Sequence, residues 1–280
     1  MRTVATLTIW VQVGLAAAGA EPVLPDKPQA YIPEPQPAPT KILVGAHHCP
    51  LWEADKPKMW DQVVKHPERT PALGFYSQEN PEVADWETKW AVEHGISFFV
   101  YCWYRDGQGG PVKMRFGSAI HDALFRSRYA SKIKFTIMWE NQARGKAGVA
   151  NEADLLGNLL PFWVQNYFRH PSYLKIDNKP LLFIYRPEFL VQDLGSAENV
   201  RTAFELGSKM LLLDNWNEWS EGHYIAPHRE FGFGYLDAVR AVFSSAPKEH
   251  TDLLPEQIGM GPYDRAYKRH VEAGYRPAIP

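Results

Sequence analysis

The chain has 280 residues, of which 45% are hydrophobic, so it is long enough to form one large domain or two small ones. Its 30 basic and 32 acidic side chains leave a net charge of −2 without a long run of either sign. This balance argues against a binding surface for nucleic acid or for an anionic membrane. Aromatic residues make up 13% of the chain and include ten tryptophans, an excess that is typical of sugar-binding surfaces but also of a large core.

The first twenty residues match the pattern of a secretory signal peptide. Arg2 precedes an apolar stretch over residues 4–18, and small residues end the segment at Ala20. The alternative, a membrane anchor, is disfavoured because the stretch is shorter than the roughly 20 residues that span a bilayer. We therefore expect residues 1–20 to be removed after Ala20 and the protein to be secreted or periplasmic.

Proline dominates the next twenty residues. Seven prolines lie between residues 21 and 40, where they remove backbone hydrogen-bond donors and favour extended, solvated chain. We predict a linker over residues 21–40, followed by a single (β/α)-barrel-type catalytic domain over residues 41–280.

From residue 41 onward, apolar runs alternate with helical patterns. Five runs have the length and the continuous hydrophobicity of strands that are covered on both faces, as in a parallel sheet. They are residues 42–46, 96–104, 133–139, 181–185 and 210–213. Alternating strands and helices are typical of α/β folds, and the most economical architecture is a (β/α) barrel of the TIM type, or part of one.

Four helices are predicted around these strands. The first is capped by Asn80, has Pro81 in its first turn and ends at Gly95. The other three cover residues 151–168, residues 196–207 and the stretch after Gly234, each with apolar side chains at helical spacing.

The short connection between the fourth and fifth strands predicts how the sheet is arranged. Only one helix separates residues 181–185 from residues 210–213, so a right-handed crossover would place these two strands side by side or nearly so. Five strands cannot close at the shear of an eight-stranded barrel, so we also expect an open barrel in which the first and last strands are neighbours. The strand over residues 181–185 should then be an exposed or poorly packed edge.

Only two cysteines are present, Cys49 and Cys102, and both lie near predicted strand ends. An exported protein could pair them, but a disulfide needs a demanding geometry, and buried free thiols are common. We favour two unpaired thiols. Two cysteines also provide no spacing typical of a zinc site, and no metal or other cofactor is expected.

Polar and aromatic residues follow each predicted strand, and parallel strands bring their carboxyl ends to one edge of a sheet. This clustering predicts a carbohydrate-binding pocket at that edge. The candidate binding residues are His47, His48, Trp52, Trp103, Tyr104, Glu140, Asn141, Tyr185, Trp216, Asn217, Trp219, His223 and Tyr224. Because adjacent residues on a strand point to opposite faces, at most one of the two neighbouring histidines serves the pocket directly. Each aromatic residue taken alone is more typical of a core.

Glu218 and Glu221 are the strongest catalytic candidates. Cleavage of a glycosidic bond needs a proton for the leaving oxygen and a second carboxylate, and two glutamates three residues apart in a turn can face one pocket. The alternative interpretation is a solvated loop with two surface carboxylates. The neighbouring tryptophans and the position at a strand end favour the pocket.

The segment over residues 217–225 resembles the Asn-Glu-Trp-x-Glu-Gly motif of glycoside hydrolase family 99 and of its family 99-like, or WbsX-type, relatives. Looser matches lie at residues 168–174, 177–180 and 231–236, so the resemblance covers roughly residues 41–243. It implies a (β/α)8 barrel that acts on a polysaccharide or glycan. In family 99 the first glutamate of the motif assists the sugar 2-hydroxyl as a base, and the second is the general acid and base. The resemblance assigns these roles to Glu218 and Glu221.

Two features depart from the family pattern. Ala226 stands where relatives usually have an acidic residue, and the segment between the fourth and fifth strands is too short for the part of the barrel that relatives carry there.

The resemblance implies an endo-acting glycoside hydrolase that works without a cofactor. The alternatives are a catalytically inactive, carbohydrate-binding relic of a truncated barrel and a WbsX-type glycosyltransferase. The signal peptide argues against a transferase, which would normally use cytoplasmic nucleotide-sugars. The expected partner is a polysaccharide or glycan, with no nucleic acid and no membrane segment after signal cleavage.

Overall fold

A computed structural model describes residues 31–141, 147–185, 210–213, 215–247 and 249–273 of the chain. The strands in these ranges are β1 (Leu43–His48), β2 (Phe98–Arg105), β3 (Met114–Arg115), β4 (Lys134–Trp139), β5 (Lys175–Ile176), β6 (Lys179–Pro180), β7 (Leu182–Ile184), β8 (Met210–Leu213), β9 (Asn217–Glu218) and β10 (His223–Tyr224). The α-helices are α1 (Pro81–Glu93), α2 (Glu152–Asp154), α3 (Leu160–Trp163), α4 (Gly234–Phe243) and α5 (Arg265–Glu272). Single turns of 3-10 helix cover Pro57–Asp61, Val63–Lys65, Pro67–Arg69, Leu124–Arg126 and Pro255–Ile258, and π-helical turns cover Ala119–Ala123, Leu155–Leu159 and Val164–Phe168.

Five parallel strands form the central sheet in the order β7-β4-β2-β1-β8. The short strand β3 pairs with β2 in the antiparallel direction. The first and last parallel strands are neighbours, with Leu43 opposite Met210 and Ala46 opposite Leu213. The sheet therefore confirms the predicted incomplete (β/α) barrel with about five parallel strands.

One prediction about the sheet is wrong. The strands β7 and β8 do not lie side by side but form the two opposite edges of the sheet. Around a barrel, strands follow one another in chain order, and the last one returns to the first. Because β8 takes the position next to β1 and β7 takes the position after β4, the opening of the barrel lies between them. The side chains of β7 are only partly buried, as expected for an edge.

Helix α1 begins and ends where the sequence predicts. The side chain of Asn80 accepts a hydrogen bond from the backbone N–H of Glu82 at 3.0 Å, and Gly95 ends the helix with a φ of +85°. Almost every residue of the helix is buried, including charged side chains that have partners. Lys89, for example, donates to Glu93 at 2.5 Å. The helix is therefore covered by protein on all sides, rather than on its apolar face alone.

The predicted helix over residues 151–168 is also present, capped by the side chain of Asn151. Its backbone alternates between α-helical and π-helical turns. Pro161 lies within it and has no backbone N–H to donate to the helical hydrogen bonds. Wider π turns change which residues share a face. As a result Leu156 and Leu160 are exposed, whereas Trp163 and Tyr167 are buried.

Residues 31–40 have no regular secondary structure, and half of them are exposed, but the segment also makes contacts that a solvated linker would lack. Ile32 is 2% exposed and belongs to the main core, and the Tyr31 hydroxyl donates to Asp85 of α1 at 2.5 Å. The backbone N–H of Ala38 donates to the carbonyl of Val92 at 2.8 Å. Burial of isolated apolar side chains along α1 holds this segment in place although it forms no ladder.

Each face of the sheet has its own apolar cluster. The side chains of Ala46, Phe99 and Phe135 pack in the main core, which includes α1 and the helical turns over residues 119–126 and 152–168. Side chains of the opposite face, among them Phe98 and Met138, form a smaller cluster. The interior of the barrel is therefore filled by side chains near the middle of the strands, which leaves the strand ends for a site.

The predicted signal peptide and the helix over residues 196–207 lie outside the described residues. Within the part of the chain that the structure describes, no helix has both the length and the hydropathy needed to cross a bilayer.

Candidate functional site

The carboxyl ends of the parallel strands bring five polar side chains together. We call Cys49, Cys102, Tyr104, Glu140 and Glu218 the strand-end cluster. The residues come from four segments of the chain: the loop after β1, the end of β2, the position after β4, and β9, which pairs with β10 in a separate two-stranded sheet. Only a few residues connect β8 to β9. The backbone N–H of Trp216, just before β9, donates to the carbonyl of His47 at the end of β1 and so holds β9 beside that strand end.

A thiol and a carboxylate are in direct contact at the centre of the cluster. The thiol of Cys49 donates to Oε2 of Glu218 at 2.5 Å, and the hydroxyl of Ser220 donates to Oε1 at 3.0 Å. Glu218 is half-buried. Both carboxylate oxygens of Glu218 are therefore hydrogen-bonded by side chains whose own positions are defined by the loop and the hairpin.

Asn217 attaches the glutamate-bearing hairpin to the sheet. This fully buried side chain accepts from the N–H of Cys49 at 2.7 Å and donates to the hydroxyl of Tyr76 at 3.0 Å. The indole N–H of Trp52 donates to the backbone carbonyl of Asn217 at 3.2 Å. An amide is needed at this position because only a side chain with both an acceptor and a donor can make the two contacts.

Glu221 lies in the turn between β9 and β10, where its side chain is exposed. Gly222, which follows, has a φ of +76°, and a Cβ at this position would lie 3.2 Å from the Arg69 guanidinium carbon. Glycine therefore allows the turn to close against residue 69. The two glutamates share one hairpin, with Glu218 fixed at the sheet and Glu221 open to solvent.

Burial and neighbouring acidic groups dominate the electrostatics of the cluster. The pKa of the Cys49 thiol is raised well above its usual value by the adjacent Cys102 thiol, by burial and by the Glu218 carboxylate. Burial, followed by the nearby Cys102, Cys49, Glu140 and Glu218, also raises the pKa of Tyr104. Both groups therefore remain protonated at neutral pH, and the Cys49 thiol donates to Glu218. Both cysteines are free thiols in the structure, as the sequence analysis favoured.

The four tryptophans predicted to bind sugar are core residues in this structure. Trp52 stacks on Trp60 at 4.0 Å, and the indole of Trp103 donates to the Tyr167 hydroxyl at 3.0 Å. Trp216 and Trp219 are equally buried. The loops after β1 and β8 fold back over the main core, so protein covers the ring faces of these tryptophans. A sugar ring therefore cannot stack on them in this structure.

The two adjacent histidines point to opposite faces, as predicted. His48 is a core residue whose Nε2 lies 3.0 Å from Glu87, with its ring against Tyr101 at 4.4 Å. The structure therefore places His48 in the main core, away from the strand-end cluster, and its predicted contact with a substrate stays a prediction. The half-buried His47 is paired with Val100 and shares its face of the sheet with Tyr104, so it is the histidine on the side of the cluster.

The remaining candidates differ in their accessibility. Glu140 is half-buried, and its backbone N–H donates a hydrogen bond to the carbonyl of Trp103. Asn141 is buried. Tyr185 is exposed at the β7 edge, and the half-buried Tyr224 packs against Trp219. The backbone of His223 pairs with that of Glu218, while its side chain lies outside the described residues.

Sequence reasoning missed the role of the two cysteines. They were weighed only as a possible disulfide and as zinc ligands, although their position at two strand ends placed them beside the predicted pocket. Tyr76 was missed as well, since it lies in a loop far from any strand and its partners, Asn217 and Trp219, are more than a hundred residues away.

By its fold the chain is an incomplete (β/α) barrel, and its candidate site is a polar cluster at the carboxyl ends of the parallel strands. The chain belongs to the family described as glycosyltransferase WbsX, whose model matches residues 62–201 and 191–239. The matched segments contain Glu218, Glu221 and every member of the strand-end cluster except Cys49.

Similar proteins were found among curated sequences and among solved structures. A protein named WxcX, described as uncharacterized, from two strains of Xanthomonas campestris pv. campestris is 27% identical over 143 residues, which is 48% of this chain and 20% of the relative. The chain thus spans about a fifth of the length of the curated relatives that it matches.

Two structures of a GH99 endo-alpha-mannosidase from Bacteroides thetaiotaomicron are also similar. In one, the similarity has 15% identity and a TM-score of 0.36 over 52% of this chain and 42% of that chain. In the other it has 18% identity and a TM-score of 0.32 over 43% of this chain and 32% of that chain.

Proposed function

We propose that the chain cleaves glycosidic bonds of a polysaccharide or glycan at the strand-end cluster, with Glu218 as the base and Glu221 as the general acid and base. The observation that carries this proposal is the position of Glu218. It lies at the carboxyl ends of the strands, half-buried and hydrogen-bonded on both oxygens by Cys49 and Ser220. An oriented carboxylate at this edge of a parallel barrel is the arrangement that acid–base chemistry requires.

The two glutamates suit different roles. Glu218 has a defined orientation, which favours removal of a proton from one particular hydroxyl of a bound sugar. Glu221 is exposed in the turn, where it can exchange a proton with a leaving group and then with water. Tyr104, whose raised pKa keeps its hydroxyl protonated, supplies a hydrogen-bond donor for a sugar hydroxyl beside them.

A glycosyltransferase is the second candidate, and the family match is the observation that favours it. Hydrolysis and transfer can use the same carboxylates and differ in the acceptor, which is water in the first and a sugar hydroxyl in the second. The third candidate is a carbohydrate-binding protein without catalysis. The incomplete sheet of the described residues favours it, because five parallel strands provide fewer substrate contacts than a closed barrel.

One set of assays separates the three candidates. The purified chain is incubated with α-mannans and other polysaccharides, and new reducing ends are measured. The hydrolase proposal predicts reducing ends that depend on Glu221. Sugar transfer from a nucleotide-sugar without new reducing ends would establish the transferase instead, and retention of a polysaccharide without any product would establish the binder.

We also propose that the protein is exported, on the basis of the signal-peptide pattern of residues 1–20. The exported protein should begin at Glu21, because the small residues directly before it fit signal peptidase. N-terminal sequencing of the extracellular or periplasmic fraction tests this, and material that begins at Met1 would contradict it.

A further inference from the structure

Four metal-ligating side chains meet at the edge of the sheet opposite to the strand-end cluster. His94 follows α1 and precedes the turn into β2, Asp237 lies in the first turn of α4, and His250 and Asp252 lie in the segment after α4. One nitrogen or oxygen atom of each residue lies within 4.8 Å of those of the other three. We call these four residues the His–Asp cluster.

Three distances within the His–Asp cluster are close to those between ligands of one ion. His94 Nε2 is 3.3 Å from Asp252 Oδ1 and 3.7 Å from Asp237 Oδ1, and His250 Nε2 is 2.9 Å from Asp252 Oδ1. In a tetrahedral zinc site with bonds of about 2.0–2.1 Å, neighbouring ligand atoms are about 3.3 Å apart. The observed distances lie on both sides of this value.

The hydrogen bond made by the other ring nitrogen of His94 orients it as a ligand. Nδ1 of His94 lies 2.6 Å from the carbonyl oxygen of Trp90. A carbonyl can only accept, so Nδ1 carries the hydrogen, and Nε2 of the neutral ring presents its lone pair to the cluster. Stacking of the ring on Phe233 at 5.8 Å supports the same orientation.

Three of the four ligand atoms are buried without a hydrogen bond: Nε2 of His94, Nε2 of His250 and Oδ1 of Asp252. The last two lie 2.9 Å apart, but their geometry is not that of a hydrogen bond. Buried polar atoms of this kind are rare in folded proteins because each costs the free energy of desolvation. His94 itself is 0% exposed, so solvent does not satisfy it.

The charge of the cluster also fits a divalent cation. Two carboxylates, with both imidazoles in the neutral form that binds a metal, would give the cluster a charge of about −2. The buried cation nearest along the chain, Arg240, is used elsewhere, since its guanidinium donates to the carbonyls of Glu93 and Pro247. Asp237 is 53% exposed and leaves a path by which an ion can enter.

We propose that His94, Asp237, His250 and Asp252 form a structural zinc site. Four protein ligands of nitrogen and oxygen close the coordination sphere, which is the pattern of structural rather than catalytic zinc. The ion joins α4 and the segment after it to the end of α1, on the edge of the barrel where stability rather than catalysis is usually located. The site is independent of the proposed chemistry at Glu218.

Zinc binding is measured on the full chain after treatment with EDTA and dialysis. We expect one equivalent of Zn²⁺ to bind and the apparent Tm to rise by about 5 °C or more when zinc is about 100-fold above its Kd. Co²⁺ added in place of zinc should give the visible absorption of a site with tetrahedral nitrogen and oxygen ligands.

Two variants and a matched control test the ligands. His250→Gln should lose the Tm shift and the Co²⁺ spectrum, and Asp237→Asn, at an exposed position that tolerates change, should weaken binding at least 10-fold. His270→Gln is the control: its ring is 15% exposed, like that of His250, and it lies 3.5 Å from one aspartate, Asp61. The proposal would be overturned if the parent chain bound no zinc or if both cluster variants still bound it. Loss of zinc binding in the His270→Gln control alone would also overturn it.

Discussion

Glu218 is surrounded by groups that restrict its carboxylate. Cys49 and Ser220 donate to its two oxygens, while Asn217, its neighbour in the chain, is attached to the loop after β1. Catalytic groups that are oriented in this way lose less entropy when the substrate binds. The exposed Glu221 has no comparable support among the hydrogen bonds that the structure describes.

Replacing Glu221 by Gln keeps the shape of the side chain but removes the proton that it would donate. If the chain is a hydrolase, activity should fall about 100- to 10,000-fold, which is the usual contribution of general acid–base catalysis. Glu218→Gln should be similarly damaging. The losses should not multiply in the double variant, because the two residues act as a unit. The release of reducing ends from the best polysaccharide measures this.

Glu272→Gln is the control for these variants, since Glu272 is an exposed glutamate at the end of α5. Its activity should equal that of the parent chain. Activity of Glu221→Gln within a few-fold of the parent chain would exclude Glu221 from the acid–base role.

Gly45 is required by close packing inside the barrel. It lies opposite Phe98 in the β1–β2 pair, and a Cβ at this position would be 2.2 Å from the end of the Phe98 ring. The ring is buried and cannot move aside. Gly45→Ala should therefore lower the free energy of unfolding by about 1–3 kcal/mol, as overpacking of a core does.

A thermal melt of Gly45→Ala beside Gly157→Ala tests this prediction. Gly157 is exposed, and a Cβ there would meet no atom within 4 Å, so its replacement should leave Tm unchanged or raise it slightly. Equal Tm values for the two variants would show that Phe98 is not a barrier to a side chain at position 45.

At the scale of secondary-structure elements, a buried ion pair connects the end of β2 to the helical turns over residues 152–168. Arg105 donates to both carboxylate oxygens of Asp154, at 2.6 and 3.0 Å. Burial alone would raise the pKa of Asp154, but the hydrogen bonds from Arg105, the Ala150 N–H and Asn158 hold it well below its usual range. The pair therefore fixes a strand end beside the site to the helical layer.

Asp154→Asn should lower the free energy of unfolding by about 3–5 kcal/mol, because it leaves the buried charge of Arg105 without its partner. The pH dependence should change as well. An aspartate with a depressed pKa in the folded state stabilises the fold above its unfolded pKa of about 3.9, and this contribution is lost as the pH falls further. Chemical denaturation at pH 7 and at lower pH measures both effects.

The matched control is Asp122→Asn, which breaks the exposed pair of Asp122 with Arg126. Surface pairs of this kind contribute about 0–1 kcal/mol, so the control should resemble the parent chain at every pH. If Asp154→Asn were as stable as this control, the buried pair would not be what joins β2 to the helical turns.

At the scale of the whole molecule, the described strands leave the barrel open between β7 and β8. Segments outside the (β/α) units cover part of the described sheet and helices. Residues 31–40 lie along α1, and residues after α4 pack against the same helix through the bond from the Trp90 indole to the Leu253 carbonyl at 3.0 Å. These two segments explain why α1 is buried on all sides. The segments before and after the (β/α) units therefore bury side chains of this incomplete barrel.

A deletion series measures how much the N-terminal segment contributes. A variant without residues 1–30 keeps the whole described segment and is the reference for the series. A variant without residues 1–40 loses the burial of Ile32 and the bond from Tyr31 to Asp85, and its free energy of unfolding should be lower by at least about 2 kcal/mol. Equal stability of the two variants would show that residues 31–40 are a linker after all.

The sequence by itself determined the units of the fold. Continuous apolar runs predicted the parallel strands, and the Asn80 cap, Pro81 and Gly95 predicted the bounds of α1, because these signals are local and depend on backbone geometry alone. The motif over residues 217–222 also located the glutamates at a strand end without any knowledge of the strand order.

Only the tertiary structure decided which of these residues face a site. Trp52, Trp103, Trp216 and Trp219 have the same aromatic chemistry whether they bind a sugar or fill a core, and the folding-back of the loops buries them. The placement of β7 at the edge opposite β8 is also a global property, since it depends on which strand lies next to β1. The contact of Cys49 with Glu218, and the meeting of His94 with residues 237, 250 and 252, join parts of the chain more than a hundred residues apart. Such contacts follow from how the elements pack, because no local pattern in the sequence specifies a partner at that distance.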